Sequence, residues 1–156
     1  MRTSPTLLGF SALCLAAGAD ATVHMVPKEH PTIQRAIDAS QSGDSVLVEP
    51  GVYREHIQIR DRAVIVRSVA GPALTTIDGG GTDTAVSIVA SSHGESVLDG
   101  FTITGGFHTV QGGGVHIERA SPTLRHNVVR GNIGGRLGHG ISLVDSDHAV
   151  IEANEI

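Results

Sequence analysis

Two neighbouring stretches in the C-terminal half of the chain repeat each other. Residues 113–117 read GGVHI and residues 121–129 read SPTLRHNVV. Residues 139–143 then read HGISL and residues 148–156 read HAVIEANEI. Each copy places short apolar runs between glycines and polar residues, so the repeating unit is a set of short extended segments.

The two copies have nearly the same length. Val115 aligns with Ile141 at a shift of 26 residues, and Asn127 aligns with Asn154 at a shift of 27. Self-similarity at a period of about 20–50 residues is typical of solenoids. Because no helical pattern separates the apolar runs, we predict an all-β fold, a β-solenoid whose coils stack on one another.

The composition favours a narrow solenoid interior over a globular core. Aromatic residues are only 3% of the 156 residues, and the chain has 20 glycines and no tryptophan. Globular cores usually draw much of their buried area from aromatic side chains. The formal net charge is −5 and Lys28 is the one lysine, which argues against a nucleic-acid partner because such partners require a basic stripe.

The N-terminus resembles a secretory signal peptide. Arg2 precedes an apolar run at 7–19, and A-x-A cleavage sites end at Ala19 and Ala21. The run is shorter than the roughly 20 apolar residues of a membrane-spanning helix. We therefore predict a signal peptide at 1–21, no membrane span, and a secreted, periplasmic or cell-surface location.

One short helix and a series of short strands follow. Ile33, Ala36, Ile37 and Ser40 have the i, i+3, i+4, i+7 spacing of one helical face, which predicts a helix at 32–40. Alternating apolar residues between Gly, Pro, Asp and Ser predict strands at the following positions: 45–48, 57–59, 64–68, 76–77, 86–89, 97–98, 101–104, 115–117, 123–124, 127–129, 141–144, 150–151 and 155–156.

Two motifs resemble the pectin-lyase-like superfamily of right-handed parallel β-helix proteins. Residues 32–38 read TIQRAID and residues 43–53 read GDSVLVEPGVY, similar to the opening helix and first strand of that group. LDGFTITGG at 98–106 is similar to one of its common coils. The resemblance implies about five coils with a short N-terminal capping helix. We therefore divide the mature chain into a segment with the capping helix at 22–45 and β-helix coils at 46–156.

Aligned coils place equivalent side chains in rows. The predicted inward rows are Val86, Val115 and Ile141; Ile88, Ile117 and Leu143; and Ile103, Val129 and Ile156. Asn127 and Asn154 are predicted to form a short asparagine ladder, with Phe101 in the equivalent place one coil earlier. The helix is predicted to cover the first open edge of the stack.

The chain stops in the middle of a coil. Because terminal repeats need a polar cap, we expect the coils at 46–156 to be incomplete at the C-terminus. We also expect self-association through the uncapped edge at 154–156.

Candidate site residues come from the outward face of the 86–88, 115–117 and 141–143 row, where the enzymes of this superfamily have their groove. The catalytic candidates are His116, Glu118, His139 and Asp145, since carboxylates and imidazoles support general acid–base chemistry. The substrate-binding candidates are Asp83, Arg119 and Ser142. Asp145 and Asp147 are the candidates for calcium, which takes six to eight oxygen ligands; otherwise we expect no cofactor.

The motif GHG at 138–140 resembles the Gly-His-Gly of polygalacturonases. The preceding coil has GGG at 112–114 in that place and lacks the accompanying acids, so neither a general acid nor a general base is supplied there. The motifs of pectin methylesterases, pectate lyases and alginate epimerases are also missing. Gly138 and Gly140 are equally well explained as the turn of a coil.

These observations leave three functions open. The first is a secreted β-helix that binds an extracellular polysaccharide or helps to process it. The second is a structural or adhesive exoprotein solenoid without catalytic activity. The third is a fragment of a polysaccharide lyase or glycoside hydrolase whose catalytic coils lie elsewhere, because no complete catalytic motif is present.

Overall fold

A computed structural model describes residues 20–89 and 95–156. The predicted signal peptide falls mostly at 1–19, outside the described residues. Within the described ranges the elements are β1 Val23–Val26, α1 Ile33–Ala39, β2 Ser45–Val48, β3 Gly51–Arg54, β4 Ile57–Arg60, β5 Ile65–Ser68, β6 Thr75–Asp78, β7 Val86–Val89, β8 Val97–Asp99, β9 Thr102–Thr104, β10 Val115–Glu118, β11 Thr123–Arg125, β12 Val128–Val129, β13 Ile141–Val144 and β14 Val150–Glu152.

The strands form three parallel sheets. The first sheet has the order β1-β2-β5-β8-β11-β14, the second β3-β6-β9-β12, and the third β4-β7-β10-β13. From β2 onward, consecutive strands lie in different sheets and each pairs with its equivalent one coil away, which makes a right-handed parallel β-solenoid of about five turns. The predicted fold class is thus confirmed.

The predicted registers are also confirmed. Val115 pairs with Val86 on one side and with Ile141 on the other, and Ile103 pairs with Val129. These rows fill the interior between the three sheets with completely buried aliphatic side chains, as in the case of Ile117.

Burial within these rows falls off in the last coil. Leu143 is 46% exposed and Ile156 is 70% exposed, although Ile88 and Ile117, in the same row as Leu143, are fully buried. Leu143 is exposed because β13 is the outer strand of the third sheet and has a neighbouring strand on one side only. Ile156 follows Glu155, whose bridge to Val128 places it outside β12 in the second sheet.

Helix α1 forms where the apolar spacing predicts it, and its two flanking residues cap it. The Thr32 hydroxyl accepts a hydrogen bond from the Arg35 N–H at 3.2 Å, the usual N-cap contact. The Glu55 carboxylate, from the turn after β3, accepts hydrogen bonds from the N–H groups of Ile33 and Gln34, both at 2.9 Å. The Glu55 carboxylate, which belongs to the first coil, therefore stabilises the N-terminus of the helix.

The helix covers the open end of the third sheet with a side chain. The Gln34 amide accepts from the Gln58 N–H at 2.6 Å and donates to the Gln58 carbonyl at 3.1 Å. It thus bonds the free side of β4 much as another strand would. The predicted capping role is confirmed, and Gln34 shows how it is achieved.

The asparagine ladder is present. Asn127 is 1% exposed; its amide donates to Asn154 Oδ1 at 3.1 Å and to the Leu98 carbonyl at 2.9 Å. Its oxygen accepts from the Phe101 N–H at 3.0 Å. The ladder thus satisfies backbone groups at a bend that no strand pairing reaches.

Two strands were not predicted. β1 pairs with β2, with Val23 opposite Ser45, so the first sheet already begins in the segment at 22–45. β3 begins at Gly51, in a stretch that is not among the predicted strands. β3 is a strand because it pairs with β6. The residues of this short segment do not by themselves predict that pairing. Among the described residues, no helix has the length and apolar character of a membrane span.

Candidate functional site

The outer face of the third sheet carries a polar row. Gln58, Ser87, His116 and Ser142 lie opposite one another on β4, β7, β10 and β13. The predicted alignment of Ser87, His116 and Ser142 is confirmed. His116 and Ser142, however, are only 2% and 3% exposed, whereas Gln58 is exposed, so the row is covered at β10 and β13.

Stacked loops cover the row from one side. The loop wall consists of the segments 79–85, 105–114 and 130–140, which join the second sheet to the third. Its layers are held by backbone hydrogen bonds such as Phe107 N–H to the Asp83 carbonyl at 2.8 Å and His108 N–H to the Ile133 carbonyl at 2.9 Å. A Cβ on Gly113 would lie 2.4 Å from the Ile133 carbonyl oxygen, so the layers require glycine there.

A cleft lies between the loop wall and the polar row, and we call it the His116 cleft. Its volume is about 340 Å³. Its lining is polar, with Val89 as the one aliphatic member, and comprises Gln58, Arg60, Asp83, Thr84, Ser87, Val89, His108, Gln111, His116 and Glu118. A second hollow, beside α1, shares Gln58 and Arg60 with it, so the depression continues along the sheet towards the helix.

His116 is held from the coil that follows it. Its Nδ1 lies 2.8 Å from Ser142 Oγ, and the same oxygen accepts a hydrogen bond from the Gly112 N–H at 2.9 Å. A Cβ at Gly112 would lie 2.7 Å from Ser142 Oγ. Glycine at this position therefore lets the loop wall reach the serine.

The other imidazole nitrogen of His116 is the unusual atom of the cleft. Nε2 is buried and, among the described residues, has no hydrogen-bond partner. Its closest acidic neighbour is Glu118 Oε2 at 3.6 Å, which is too far for a good hydrogen bond. Buried polar atoms are nearly always partnered, so this enclosed nitrogen is an exception among the described residues.

Two more sequence-predicted residues belong to this site. Glu118 follows His116 on β10, and its other oxygen lies 3.1 Å from the guanidinium of Arg119. Arg119 itself points largely into solvent, with a 63% exposed side chain. It therefore acts on the cleft through Glu118.

Asp83 lies on the opposite wall. Its carboxylate accepts from the Thr84 N–H at 2.7 Å, while the Thr84 hydroxyl donates to the Gly112 carbonyl at 2.8 Å. Asp83 is thus tied to the same loop that fixes Ser142. The structure brings Asp83, His116, Glu118 and Ser142 into one neighbourhood.

His108 was not predicted and also lines the cleft. Its Nδ1 accepts from the N–H groups of Val110 and Gln111 at 3.1 and 2.8 Å. A neutral His108 therefore carries its hydrogen on Nε2. The signal in the sequence is the length of the segment at 105–114. This segment is too long for a simple turn, so its side chains are expected to lie over a face of the solenoid.

His139, Asp145 and Asp147 lie elsewhere. His139 is exposed in the loop before β13, and its Nδ1 accepts from the Gly134 N–H at 3.1 Å, a contact that stabilises the turn. Asp145 and Asp147 are exposed in the turn after β13. In the described ranges, no three His, Cys, Asp or Glu side chains are grouped as they would be to hold a metal ion.

The fold and this outer cleft define a parallel β-helix protein of the pectin-lyase-like type. The family model described as "Protein of unknown function (DUF1565)" matches residues 16–156, and the chain belongs to that family. No curated protein and no solved structure matches the chain.

Proposed function

We propose that this chain is a secreted β-helix that binds an extracellular polysaccharide in the His116 cleft, or helps to process it there. The observation that carries the proposal is the polar cleft of about 340 Å³, whose lining includes the carboxylates of Asp83 and Glu118. An extended glycan offers repeated hydroxyl groups along one line. The third sheet offers repeated polar side chains along one line, at the strand spacing of about 4.8 Å.

The lining supports binding of hydroxyl groups. Asp83 and Glu118 are acceptors, while Gln58, Ser87 and Gln111 both donate and accept hydrogen bonds. A few placed polar groups that fix a ligand's orientation are what binding sites usually contain. For processing, the lining offers two carboxyl groups, Asp83 and Glu118, and two imidazoles, His108 and His116, as groups able to exchange protons.

The direct test is a screen of the purified chain against neutral and acidic polysaccharides on a glycan array, with parallel assays for new reducing ends and unsaturated ends. We expect binding that falls at least tenfold in Glu118→Gln. Glu152→Gln is the matched control, because Glu152 is an exposed glutamate on β14 in the first sheet, outside the cleft.

Two outcomes decide the proposal. Loss of binding in Glu118→Gln but not in Glu152→Gln supports it. No binding to any polymer, together with no released ends, contradicts it and leaves the structural or adhesive role as the better account.

Export is part of the same proposal. The apolar run at 7–19 and the A-x-A sites support it. Expression of the full chain should yield a mature N-terminus at Asp20 or Thr22 outside the cytoplasm, which N-terminal sequencing of the secreted fraction measures. An uncut chain retained in the cytoplasm would contradict this.

A further inference from the structure

Four exposed apolar side chains lie close together on the loop wall. Phe107, Val110, Ile133 and Leu137 are 36%, 52%, 58% and 46% exposed. Phe107 and Ile133 form a parallel β-bridge, and the Leu137 N–H donates to the Val110 carbonyl at 3.0 Å. Residues 107 and 110 are at most about 11 Å apart, the reach of three extended residues. The four residues therefore occupy one small region of the surface, which we call the wall patch.

The backbone beneath the wall patch is already fixed by contacts between layers. The Ile133 N–H donates to the Gly106 carbonyl at 2.8 Å, and the Ile133 carbonyl accepts from the His108 N–H at 2.9 Å. The Gly135 N–H donates to the Gln111 carbonyl at 3.1 Å. Turning the patch inward would break these contacts. Clustered apolar side chains that stay exposed on a fixed support mark an interaction surface.

The charges around the wall patch are positive. The two segments that carry it, 105–114 and 130–140, contain Arg130 and Arg136, both exposed, and no Asp or Glu. The formal net charge of the whole chain is −5, so this region has the opposite sign to the rest. The remaining layer of the wall has one acid, Asp83, whose side chain lines the His116 cleft. The wall patch therefore complements a partner that is both apolar and anionic.

A lipid bilayer with anionic headgroups has both properties. It offers an apolar interior to the aliphatic and aromatic side chains and negative charge to the arginines. A soluble anionic glycan offers the charge alone. A second copy of this chain, related by a twofold axis, would place the same surface against itself. Arg136 of each copy would then approach the other, and like charges repel more strongly in an apolar contact than in water.

We propose that the wall patch attaches the chain peripherally to an anionic lipid bilayer. The four apolar side chains lie at the boundary between headgroups and acyl chains, and Arg136 lies among the headgroups. Either signal alone gives weak and reversible binding, whereas the two together give stable attachment. The proposal is independent of what the His116 cleft binds.

Cosedimentation with vesicles tests the attachment. We expect the purified chain to bind vesicles of phosphatidylglycerol and phosphatidylcholine about tenfold more tightly than vesicles of phosphatidylcholine alone. Ile133→Asp and Leu137→Asp should each weaken binding to the anionic vesicles by about tenfold. Leu74→Asp is the matched control, because it makes the same charge change at an exposed leucine before β6, and its binding should equal that of the wild type.

The arginine is tested in the same assay. Arg136→Gln should weaken binding to the anionic vesicles about fivefold, since one cation near an anionic surface contributes about 1 kcal/mol. Arg35→Gln, at an exposed position of α1, makes the same charge change away from the wall and should leave binding unchanged. Equal weakening in the two variants would overturn the role of Arg136 and, with it, the proposal.

A tryptophan probe locates the contact, because the chain has no tryptophan of its own. The emission of Phe107→Trp should shift to the blue with anionic vesicles and should be quenched by brominated acyl chains, whereas that of Leu74→Trp should do neither. The probe also separates the wall patch from the apolar run at 7–19, which every variant retains. An unshifted Phe107→Trp spectrum on vesicle-bound chain overturns the proposal, even if the aspartate variants fail to fold.

Three further results also overturn it. The first is no binding to either kind of vesicle, and the second is equal binding to both. The third is a dimer in sedimentation velocity that Ile133→Asp abolishes in a chain that ignores vesicles, which would assign the wall patch to a second copy. A blue-shifted Phe107→Trp spectrum together with weaker binding in the aspartate variants supports it.

Discussion

At the residue scale, the structure separates two histidines that stabilise turns from one that contacts the following coil. His139 and His108 each use Nδ1 to accept backbone N–H groups of their own loops. His116 places Nδ1 against a serine of the next coil, while its Nε2 is buried and has no hydrogen-bond partner among the described residues. The difference depends on partners about 26 residues away, so the identity of the residue alone does not reveal it.

A buried residue of the asparagine ladder should matter most for stability. Asn127→Ala leaves the Phe101 N–H and the Leu98 carbonyl without their side-chain partner. Because buried unsatisfied groups cost about 1–3 kcal/mol each, we expect the free energy of unfolding to fall by about 2–3 kcal/mol in urea titrations. Asp147→Ala, at an exposed turn, should change it by less than about 0.5 kcal/mol; an equally small effect at Asn127 would contradict the ladder's role.

The carboxyl group of Asp44 should make the stability of the folded chain depend on pH. Hydrogen bonds from the backbone N–H groups of Gln41 and Thr22, and then the contact with His24, hold the pKa of this carboxyl below its ordinary value. A lowered pKa in the folded state adds stability that is complete above the unfolded value, near pH 4, and disappears as the pH falls through the folded value. Asp44→Asn should therefore lower the Tm at pH 7, and this deficit should shrink towards pH 2. A deficit that is constant from pH 7 to pH 2 would contradict the assignment.

At the scale of elements, the chain uses one short helix to end the stack. An isolated helix as short as α1 would not be stable in water; buried Ile33, Ala36 and Ile37 and contacts from the first coil hold it in place. Gln34 then bonds the free side of β4. The helix and the first coil thus stabilise each other.

Glu55 is the residue that joins these two elements at the helix N-terminus. Glu55→Ala removes a carboxylate that accepts two orphan N–H groups of α1. A negative group at a helix N-terminus contributes about 1 kcal/mol, so we expect a loss of about 1–2 kcal/mol in thermal or urea unfolding. Glu152→Ala, on the exposed face of β14, should be close to neutral, and a similar loss in both variants would argue against a specific capping role.

The amino-acid sequence predicts more of the helix and strands than of the candidate site. The spacing of apolar residues along the chain predicts the helix and most strands. It also predicts the rows through Val115 and Ile117, because the period of the apolar residues shows which side chains are buried. β1 and β3 owe their strand character to pairing partners 22 to 24 residues away. His108 and the burial of Ser142 depend on how the loop wall stacks, which no local pattern contains.

At the scale of the whole molecule, the last coil presents apolar surface. Ile151 is 37% exposed and Ile156 is 70% exposed, next to the outer strands β13 and β14. Outer strands with apolar neighbours are templates for pairing with another chain. Self-association through this face, centred on 154–156, remains a prediction for the molecule as a whole.

Sedimentation velocity over a range of concentrations measures it. We expect the average mass of the purified chain to rise with concentration, and we expect Ile156→Asp to reduce that rise. Leu74→Asp is the matched control. Leu74 is also exposed, at 59%, but it lies directly before β6, many residues away from the last coil. A monomer at all concentrations would contradict the prediction.

The solenoid, its period and most of its inward rows follow from the residue pattern, because a repeated alternation of apolar and polar residues specifies which side chains face the interior. The pattern also placed His116 and Ser142 on one outward face, since register follows from the repeat. The folded coils were needed to show that the loop wall covers His116, that Ser142 contacts one imidazole nitrogen, and that the other nitrogen is buried beside Glu118. Those features arise from the stacking of loops of unequal length, and their contacts exist only once the coils are formed.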